Sequence, residues 1–181
     1  QARRVCVARA LALDPALVIA DEPTAGLDVS IQGEVLNLMS DLRRTQGVSF
    51  LIITHNLAMI RHAADRIAIL YLGRLVESGP TDEVFARPLH PYTASLIASE
   101  PNPDPRKRRA DLAIKGEIPS LLRRPSGCAF HSRCPMALPQ CRTIEPTARQ
   151  VGPGRMVRCH LANGPQDNQN RQRRNHDEME H

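Results

Sequence analysis

The sequence predicts an α/β fold, in which a parallel sheet with its helices is followed by a loop-rich extension. Residues 17–20 form a short all-apolar run, which is typical of a strand buried on both faces of a parallel sheet. Residues 48–53 form a second apolar run rich in β-formers, which predicts another strand. Between them one helical stripe is formed by Ile31, Val35, Leu38 and Leu42. Of the 15 prolines, 13 lie from residue 80 onward, so regular structure is expected mainly before that point.

Local signals define the elements of the first half in order. A helix over residues 5–13 is rich in Ala and Leu and ends at Asp14-Pro15, because proline does not continue a helix. Asp28 or Ser30 can cap the start of the second helix, and Gly47 stands where its C-terminal cap is expected.

After the second strand the sequence predicts a short helix and a β-hairpin. Leu57 and Ile60 give the helix its apolar positions, and residues 67–72 and 75–78 flank a Gly-Arg turn. Further short helices are expected at residues 81–86 and 91–99, the second opened by a proline.

Three regions of different composition divide the chain. Residues 1–80 alternate helix and strand, residues 81–162 are rich in proline and hold four cysteines, and residues 163–181 are polar without an apolar period. We therefore expect an α/β domain, a loop-rich extension and a disordered tail.

Composition and the length of apolar runs disfavour several classes of protein. Aromatic residues make up 3% of the chain, fewer than a protein that stacks bases usually carries. The net charge of +5 permits contact with nucleic acid or an anionic membrane but does not argue for either, and no nucleic-acid partner is expected. No apolar run approaches the roughly 18 residues that a bilayer-spanning helix needs, and no signal peptide is visible. The chain starts at Gln1 and its first methionine is Met39, so we expect a processed or incomplete chain.

Two acidic side chains follow the first predicted strand, and a histidine follows the second. Asp21 and Glu22 come directly after the first strand, and His55 follows the second. Ligands of α/β proteins bind at such strand ends, where Asp21 can hold Mg²⁺ and Glu22 can orient or deprotonate an attacking water. His55 can reach a γ-phosphate with a ring N–H. Each residue alone also suits an ordinary surface or structural position, but the ordered set favours nucleotide hydrolysis.

These motifs together resemble the ATP-binding subunits of ABC transporters. Asp21 and Glu22 resemble the Walker B aspartate and the catalytic glutamate, residues 25–28 resemble the D-loop, and His55 resembles the switch histidine. Residues 1–11 resemble the end of the signature motif and the helix after it. The resemblance implies ATP and Mg²⁺ as cofactors, with Gln1 and Asp28 beside the nucleotide.

The phosphate-binding loop of that family is not found in these residues. No G-x-x-x-x-G-K-[ST] run occurs, so the backbone N–H groups that would cradle the phosphates are not supplied. We therefore expect the C-terminal half of a RecA-like ABC ATPase core, which is inactive as an ATPase alone because phosphoryl transfer depends on positioning.

Four cysteines in the extension indicate a second candidate site, and they are Cys128, Cys134, Cys141 and Cys159. No C-x2-C pair of the kind found in zinc ribbons occurs among them, whereas Cys₄ iron–sulfur ligation tolerates wider spacing. A metal or cluster site, free thiols and disulfides all remain open on spacing alone.

The extension resembles the C-terminal region of oligopeptide and dipeptide transporter ATPases. The motifs that carry this likeness are His90-Pro91-Tyr92-Thr93, residues 116–120 and residues 127–135. In some members of that subfamily the cysteines are associated with a 4Fe–4S cluster, so the resemblance implies one on these four residues, with a structural role.

The resemblance implies an energy-coupling subunit of a peptide importer, at the cytoplasmic face of the inner membrane. Its implied partners are a second ABC ATPase subunit, transmembrane permease subunits and, indirectly, an extracytoplasmic peptide-binding protein. The alternatives are a non-hydrolytic remnant or an iron–sulfur regulatory module. An ABC protein acting on DNA or ribosomes is disfavoured, because no insertion separates Asp28 from His55.

Overall fold

The computed structural model describes residues 2–100, 114, 116–120 and 122–162. It confirms the α/β class and forms two compact units, one ending at Ala63 and one beginning at Ala64. The domain boundary expected at residue 80 stays a prediction, and the expected disordered tail at 163–181 lies outside the described residues. None of the helices in these ranges has the length and apolarity that crossing a bilayer requires.

The first unit is built from three helices and one parallel strand pair. Strands β1 and β2 pair in register from Leu17 opposite Ser49 to Asp21 opposite Ile53. In chain order, the elements are α1 (Ala2–Leu11), β1 (Leu17–Asp21), α2 (Val29–Gln46), β2 (Ser49–Ile53) and α3 (Leu57–Ala63).

Both predicted caps of α2 are present. The Asp28 side chain accepts a hydrogen bond from the Ile31 N–H at 2.9 Å, so Asp28 and not Ser30 caps the start. At the other end Gly47 adopts a left-handed conformation with φ of +69° and donates its N–H to the Arg43 carbonyl. These contacts set the length of the helix that connects the two strands.

One face of the two-stranded sheet is exposed. Its apolar side chains alternate along the strands and are Leu17, Ile19, Leu51 and Ile53. The prediction that the first strand is buried on both faces is therefore wrong for the described residues. A parallel sheet needs a layer on each face, and no described element covers this one.

The second unit contains a four-stranded antiparallel sheet. Strands β3 (Arg66–Tyr71) and β4 (Arg74–Pro80) form the predicted hairpin, and the sheet order is β3-β4-β6-β5. Two short helices follow the hairpin, α4 (Thr81–Ala86) and α5 (Pro91–Ala98). Beyond the loop-rich middle, which carries the 3₁₀ turns His131–Arg133 and Pro139–Arg142, lie β5 (Arg149–Gly152) and β6 (Arg155–Val157).

Aromatic rings form the centre of the second unit. Tyr71 from β3 lies with its ring centroid 4.7 Å from Tyr92 and 5.2 Å from Phe130. Phe130 is buried and also contacts the rings of Tyr92 and His90. These contacts attach the loop-rich segment to the hairpin and to the start of α5, with geometries that aromatic pairs favour.

A buried carboxylate ties the sheet to the loop between α4 and α5. Glu77 of β4 has no exposed surface and accepts hydrogen bonds from the backbone N–H groups of Leu89 and His90. It also pairs with the Arg155 guanidinium of β6 at 3.1 Å. Arg155 in turn donates to the Arg87 carbonyl. The pair and its backbone partners therefore connect three segments that are distant along the chain.

Removing the charge of Glu77 should destabilise the second unit strongly. In Glu77→Gln the buried Arg155 loses its ionised partner, and we expect the free energy of unfolding to fall by about 3 kcal/mol. Glu83→Gln is the matched control, because the Glu83 carboxylate is exposed and lies 3.9 Å from Arg155. Urea unfolding followed by tyrosine fluorescence measures the effect, since both tyrosines lie in this unit. Equal losses in the two variants would contradict the account.

A second stability prediction concerns Gly127, which has a φ of +66° beside the Cys141 backbone. A Cβ there would lie 2.5 Å from the Cys141 carbonyl oxygen. Gly116 has a similar φ of +80°, but its nearest neighbour is a side-chain atom 3.9 Å away.

We expect Gly116→Ala to cost about 1 kcal/mol, which is the strain of a left-handed alanine. Gly127→Ala should cost at least twice as much, because a backbone segment must also move. The same unfolding assay compares them, and similar costs would show that the 127–141 contact is not tight.

Candidate functional site

The candidate site lies at the carboxyl ends of β1 and β2. Asp21 is the last residue of β1, and Thr54 and His55 follow β2. Because the strands are parallel and Asp21 pairs with Ile53, the residues that follow each strand meet at one edge of the sheet. The Glu22 N–H donates to the Ile53 carbonyl at 2.8 Å, which continues the pairing by one residue.

Glu22 and His55 are in direct contact. The Nδ1 atom of His55 lies 2.6 Å from Oε1 of Glu22, and the His55 backbone N–H donates to the same oxygen at 3.2 Å. The hydroxyl of Thr54 donates to the other carboxylate oxygen at 3.3 Å. The carboxylate is therefore oriented by three donors from the segment after β2.

The backbone of Glu22 is strained. Its φ of +44° falls in the left-handed region, which costs a residue with a side chain about 1–2 kcal/mol. Such strain persists where surrounding contacts hold it, and it is concentrated at functional sites. Here the bond to Ile53 and the three donors to the carboxylate hold the residue in place.

The electrostatics of the pair favour an ionised carboxylate. The hydrogen bond from His55 is the main cause that lowers the pKa of Glu22 below its usual value, and Thr54 adds to it. The side chains are open to solvent, with 85% of His55 and 36% of Glu22 exposed. Among the described residues, Nε2 of His55 has no hydrogen-bond partner, and the exposed ring is accessible to a ligand.

The other predicted site residues stand apart from this pair. Asp21 lies at the strand end with its side chain exposed. Asp28 caps α2, so it has a structural role in addition to its predicted position near the nucleotide. Gln1 lies outside the described residues. The structure therefore brings Glu22 and His55 together, whereas the roles of Asp21, Asp28 and Gln1 stay predictions.

Sequence reasoning missed Thr54, which connects the two sides of the site. Its hydroxyl donates to Glu22 and also accepts from the Asn56 N–H at 3.1 Å. Asn56 in turn accepts from the Met59 N–H and so starts α3. The sequence carried a signal for these contacts, because Thr and Asn flank His55 and both residue types favour the starts of helices.

The four predicted cluster ligands are free thiols in the second unit. Cys141 and Cys159 are buried, and Cys128 and Cys134 are half-buried. Burial raises the pKa of Cys128, Cys134 and Cys159, the last to about 11. A smaller electrostatic contribution comes from Cys141 at Cys128, and from two other cysteines at each of Cys134 and Cys159. The four side chains are therefore neighbours, and the three thiols with raised pKa are largely protonated at neutral pH.

The arrangement does not by itself form a metal site. Within the described ranges, no three Cys, His, Asp or Glu side chains gather as the ligands of an ion would. A 4Fe–4S cluster needs four thiolates around one centre. The structure therefore places the four thiols near one another, as the predicted cluster requires, but does not arrange them as a group of metal ligands in the described residues.

Comparisons with known proteins find sequence similarity that extends over both units. Residues 76–141 match the family model described as the oligopeptide/dipeptide transporter, C-terminal region. The "Probable peptide ABC transporter ATP-binding protein y4tS" of Sinorhizobium fredii is 48% identical over 161 residues, which are 89% of this chain and 46% of that protein. The "Di/tripeptide transport ATP-binding protein DppF" of Pseudomonas aeruginosa is 47% identical over 164 residues, 90% of this chain and 50% of that protein.

The shared stretch contains both the Glu22–His55 site and most of the described extension. The chain spans about half the length of the curated relatives it matches. Residues 76–141 therefore carry the C-terminal region of the oligopeptide/dipeptide transporter family, and about nine tenths of the chain is similar to ATP-binding proteins of peptide ABC transporters.

Proposed function

We propose that the chain supplies the water-activating part of an ATPase site in an ABC importer of peptides. The observation that carries this proposal is the Glu22–His55 contact of 2.6 Å at the ends of two parallel strands. Peptide transport is proposed because the names of the relatives y4tS and DppF specify peptides, and di- and tripeptides for the second.

Each residue of the site has a distinct task in this proposal. Glu22, kept ionised by His55, orients the attacking water and accepts its proton. His55 donates from Nδ1 to the carboxylate, so Nε2 donates to the γ-phosphate in the form of the ring that carries a proton on both nitrogens.

Asp21 has the donor chemistry that Mg²⁺ prefers and would hold it, and the ion would neutralise phosphate charge. The chain itself carries no G-x-x-x-x-G-K-[ST] run, so we expect these residues to hydrolyse ATP only with a phosphate-binding loop beside them.

The partners follow from the same proposal. A second ABC ATPase subunit pairs with this one, with Asp28 and Gln1 near the shared nucleotide, and permease subunits carry the substrate across the membrane. A peptide-binding protein outside the membrane delivers cargo indirectly. The subunit then lies at the cytoplasmic face of the membrane, and no nucleic acid takes part.

The Glu22–His55 contact predicts a titration change within the chain. His55→Ala removes the main cause of the lowered pKa, so the pKa of Glu22 should rise toward its usual value. The wild-type carboxylate should therefore stay ionised to lower pH than that of the variant. Carboxyl ¹³C NMR of glutamate-labelled protein measures both values, and His62→Ala is the control. An unchanged Glu22 titration in His55→Ala would show that the contact is absent in solution.

The assigned role of Glu22 predicts a split between binding and turnover in the complete subunit with its membrane partners. Glu22→Gln should retain ATP binding and lower hydrolysis by about 100-fold or more, because the proton acceptor is lost with little change of shape. Asp41→Asn, on the exposed surface of α2, removes a carboxylate without affecting either. Normal hydrolysis in Glu22→Gln would show that Glu22 does not orient the attacking water. No hydrolysis in the unsubstituted complete subunit would favour the alternative of a non-hydrolytic remnant.

We propose a structural role for the four cysteines, with a 4Fe–4S cluster as the group they would hold. The mutual electrostatic influence of the thiols supports this, and the lack of a ligand group among the described residues counts against it. Anaerobically purified subunit should contain roughly four iron and four sulfide per chain, and Cys159→Ser should contain less. Stoichiometric zinc, or no metal, would reject the cluster and with it the alternative of an iron–sulfur regulatory module.

A further inference from the structure

A cavity opens in the second unit beside the aromatic centre. It lies between the β3–β4 hairpin, the loop at residues 124–130 and the start of α5. Its walls are partly apolar, with Val76 and Phe130 among them. No residue of the proposed ATPase site takes part in it, because Glu22 and His55 belong to the first unit.

The polar part of the wall carries an excess of positive charge. Arg74, Arg124 and Arg158 line the cavity together with one carboxylate, Glu145. Arg74 and Arg158 approach the same Glu145 oxygen at 3.6 and 3.7 Å, so a single negative charge is shared by two guanidinium groups. The structure shows no acidic partner for Arg124 within its described ranges. Three positive charges therefore face one negative charge.

Two further residues that line the cavity, Tyr71 and His90, carry hydrogen-bond donors. Tyr71 is 5% exposed, and its buried hydroxyl has no hydrogen-bond partner among the described residues. Leaving such a group unpaired is costly, so a native site normally supplies a partner.

His90 is the second donor. Its Nδ1 accepts from the Tyr92 N–H at 3.0 Å, which places the proton of the neutral ring on Nε2. Burial keeps the ring neutral, because it lowers the pKa of His90 to about 4.

We propose that this cavity binds a phosphate group, either as free inorganic phosphate or as the head of a small phosphate monoester. The site offers guanidinium, phenol and imidazole donors, and its one carboxylate is already paired. An excess of two positive charges matches a phosphate dianion, and Arg guanidinium groups suit phosphate geometry. Val76 and Phe130 on the wall offer apolar contacts to a hydrophobic substituent on the phosphate.

The test measures binding to the full chain by calorimetry at constant ionic strength. Inorganic phosphate and phenyl phosphate are titrated separately, in the absence of nucleotide and of membrane subunits. Tighter binding of phenyl phosphate identifies a monoester as the natural ligand class, and equal binding identifies free phosphate; saturable one-to-one binding of either supports the site.

Matched variants test whether the phosphate binds in this cavity. Tyr71→Phe and Arg124→Gln should each weaken binding about tenfold or more, as expected for lost bonds to a charged ligand. Two control variants change residues that do not line the cavity. Tyr92→Phe removes a hydroxyl from the ring beside Tyr71, and Arg123→Gln removes the positive charge that precedes Arg124 in the sequence. Both controls should bind within about twofold of wild type.

Two results would overturn the proposal. One is the lack of saturable phosphate binding to a chain whose tyrosine fluorescence shows a folded second unit. The other is an equal loss in Arg123→Gln and Arg124→Gln, which would indicate only general attraction of anions to a basic surface. Since ATP hydrolysis is not measured, either result leaves the proposed ATPase role unaffected.

Discussion

The candidate ATPase site depends on the parallel pairing of β1 with β2. The register that places Asp21 opposite Ile53 brings Glu22 against His55, although 32 residues separate the two along the chain. A slip of one residue would turn every side chain of β1 to the other face and separate the pair. The caps at Asp28 and Gly47 support the register, because they define the helix that connects the strands. Site geometry is thus a consequence of strand register, with Thr54 completing the contact.

The second unit depends on a different constraint, which is the burial of Glu77. Few long elements hold this unit together, so one carboxylate that binds two backbone N–H groups and Arg155 does much of the connecting. Such a buried pair contributes to a unique arrangement only while all partners are present. The same region carries the family match, the four thiols and the Arg-lined cavity. Any function of the extension therefore depends on the contacts by which Glu77 joins the sheet to the loops.

Local signals made much of the fold predictable. Asp28, Gly47 and the Gly73-Arg74 turn carry short-range chemistry that the structure reproduces, and the strand–Asp–Glu and strand–His order indicated the site. What sequence could not supply is non-local. The pairing of β6 with β4, the contacts of Glu77 and the exposed face at Ile19 and Leu51 depend on which segments meet in space. The cysteines illustrate the same limit, because the resemblance implied a ligand set while their described placement shows only that they are neighbours.

The central claim is that Glu22 and His55 act as one unit in ATP hydrolysis. A double-mutant cycle on the hydrolysis rate of the complete subunit, with its membrane partners, tests this directly. The required variants are Glu22→Gln, His55→Ala and their combination. Residues that act as a unit give non-additive losses, so the double variant should be no slower than the slower single variant. Losses that multiply would show that the two side chains act independently and that their 2.6 Å contact has no role in hydrolysis.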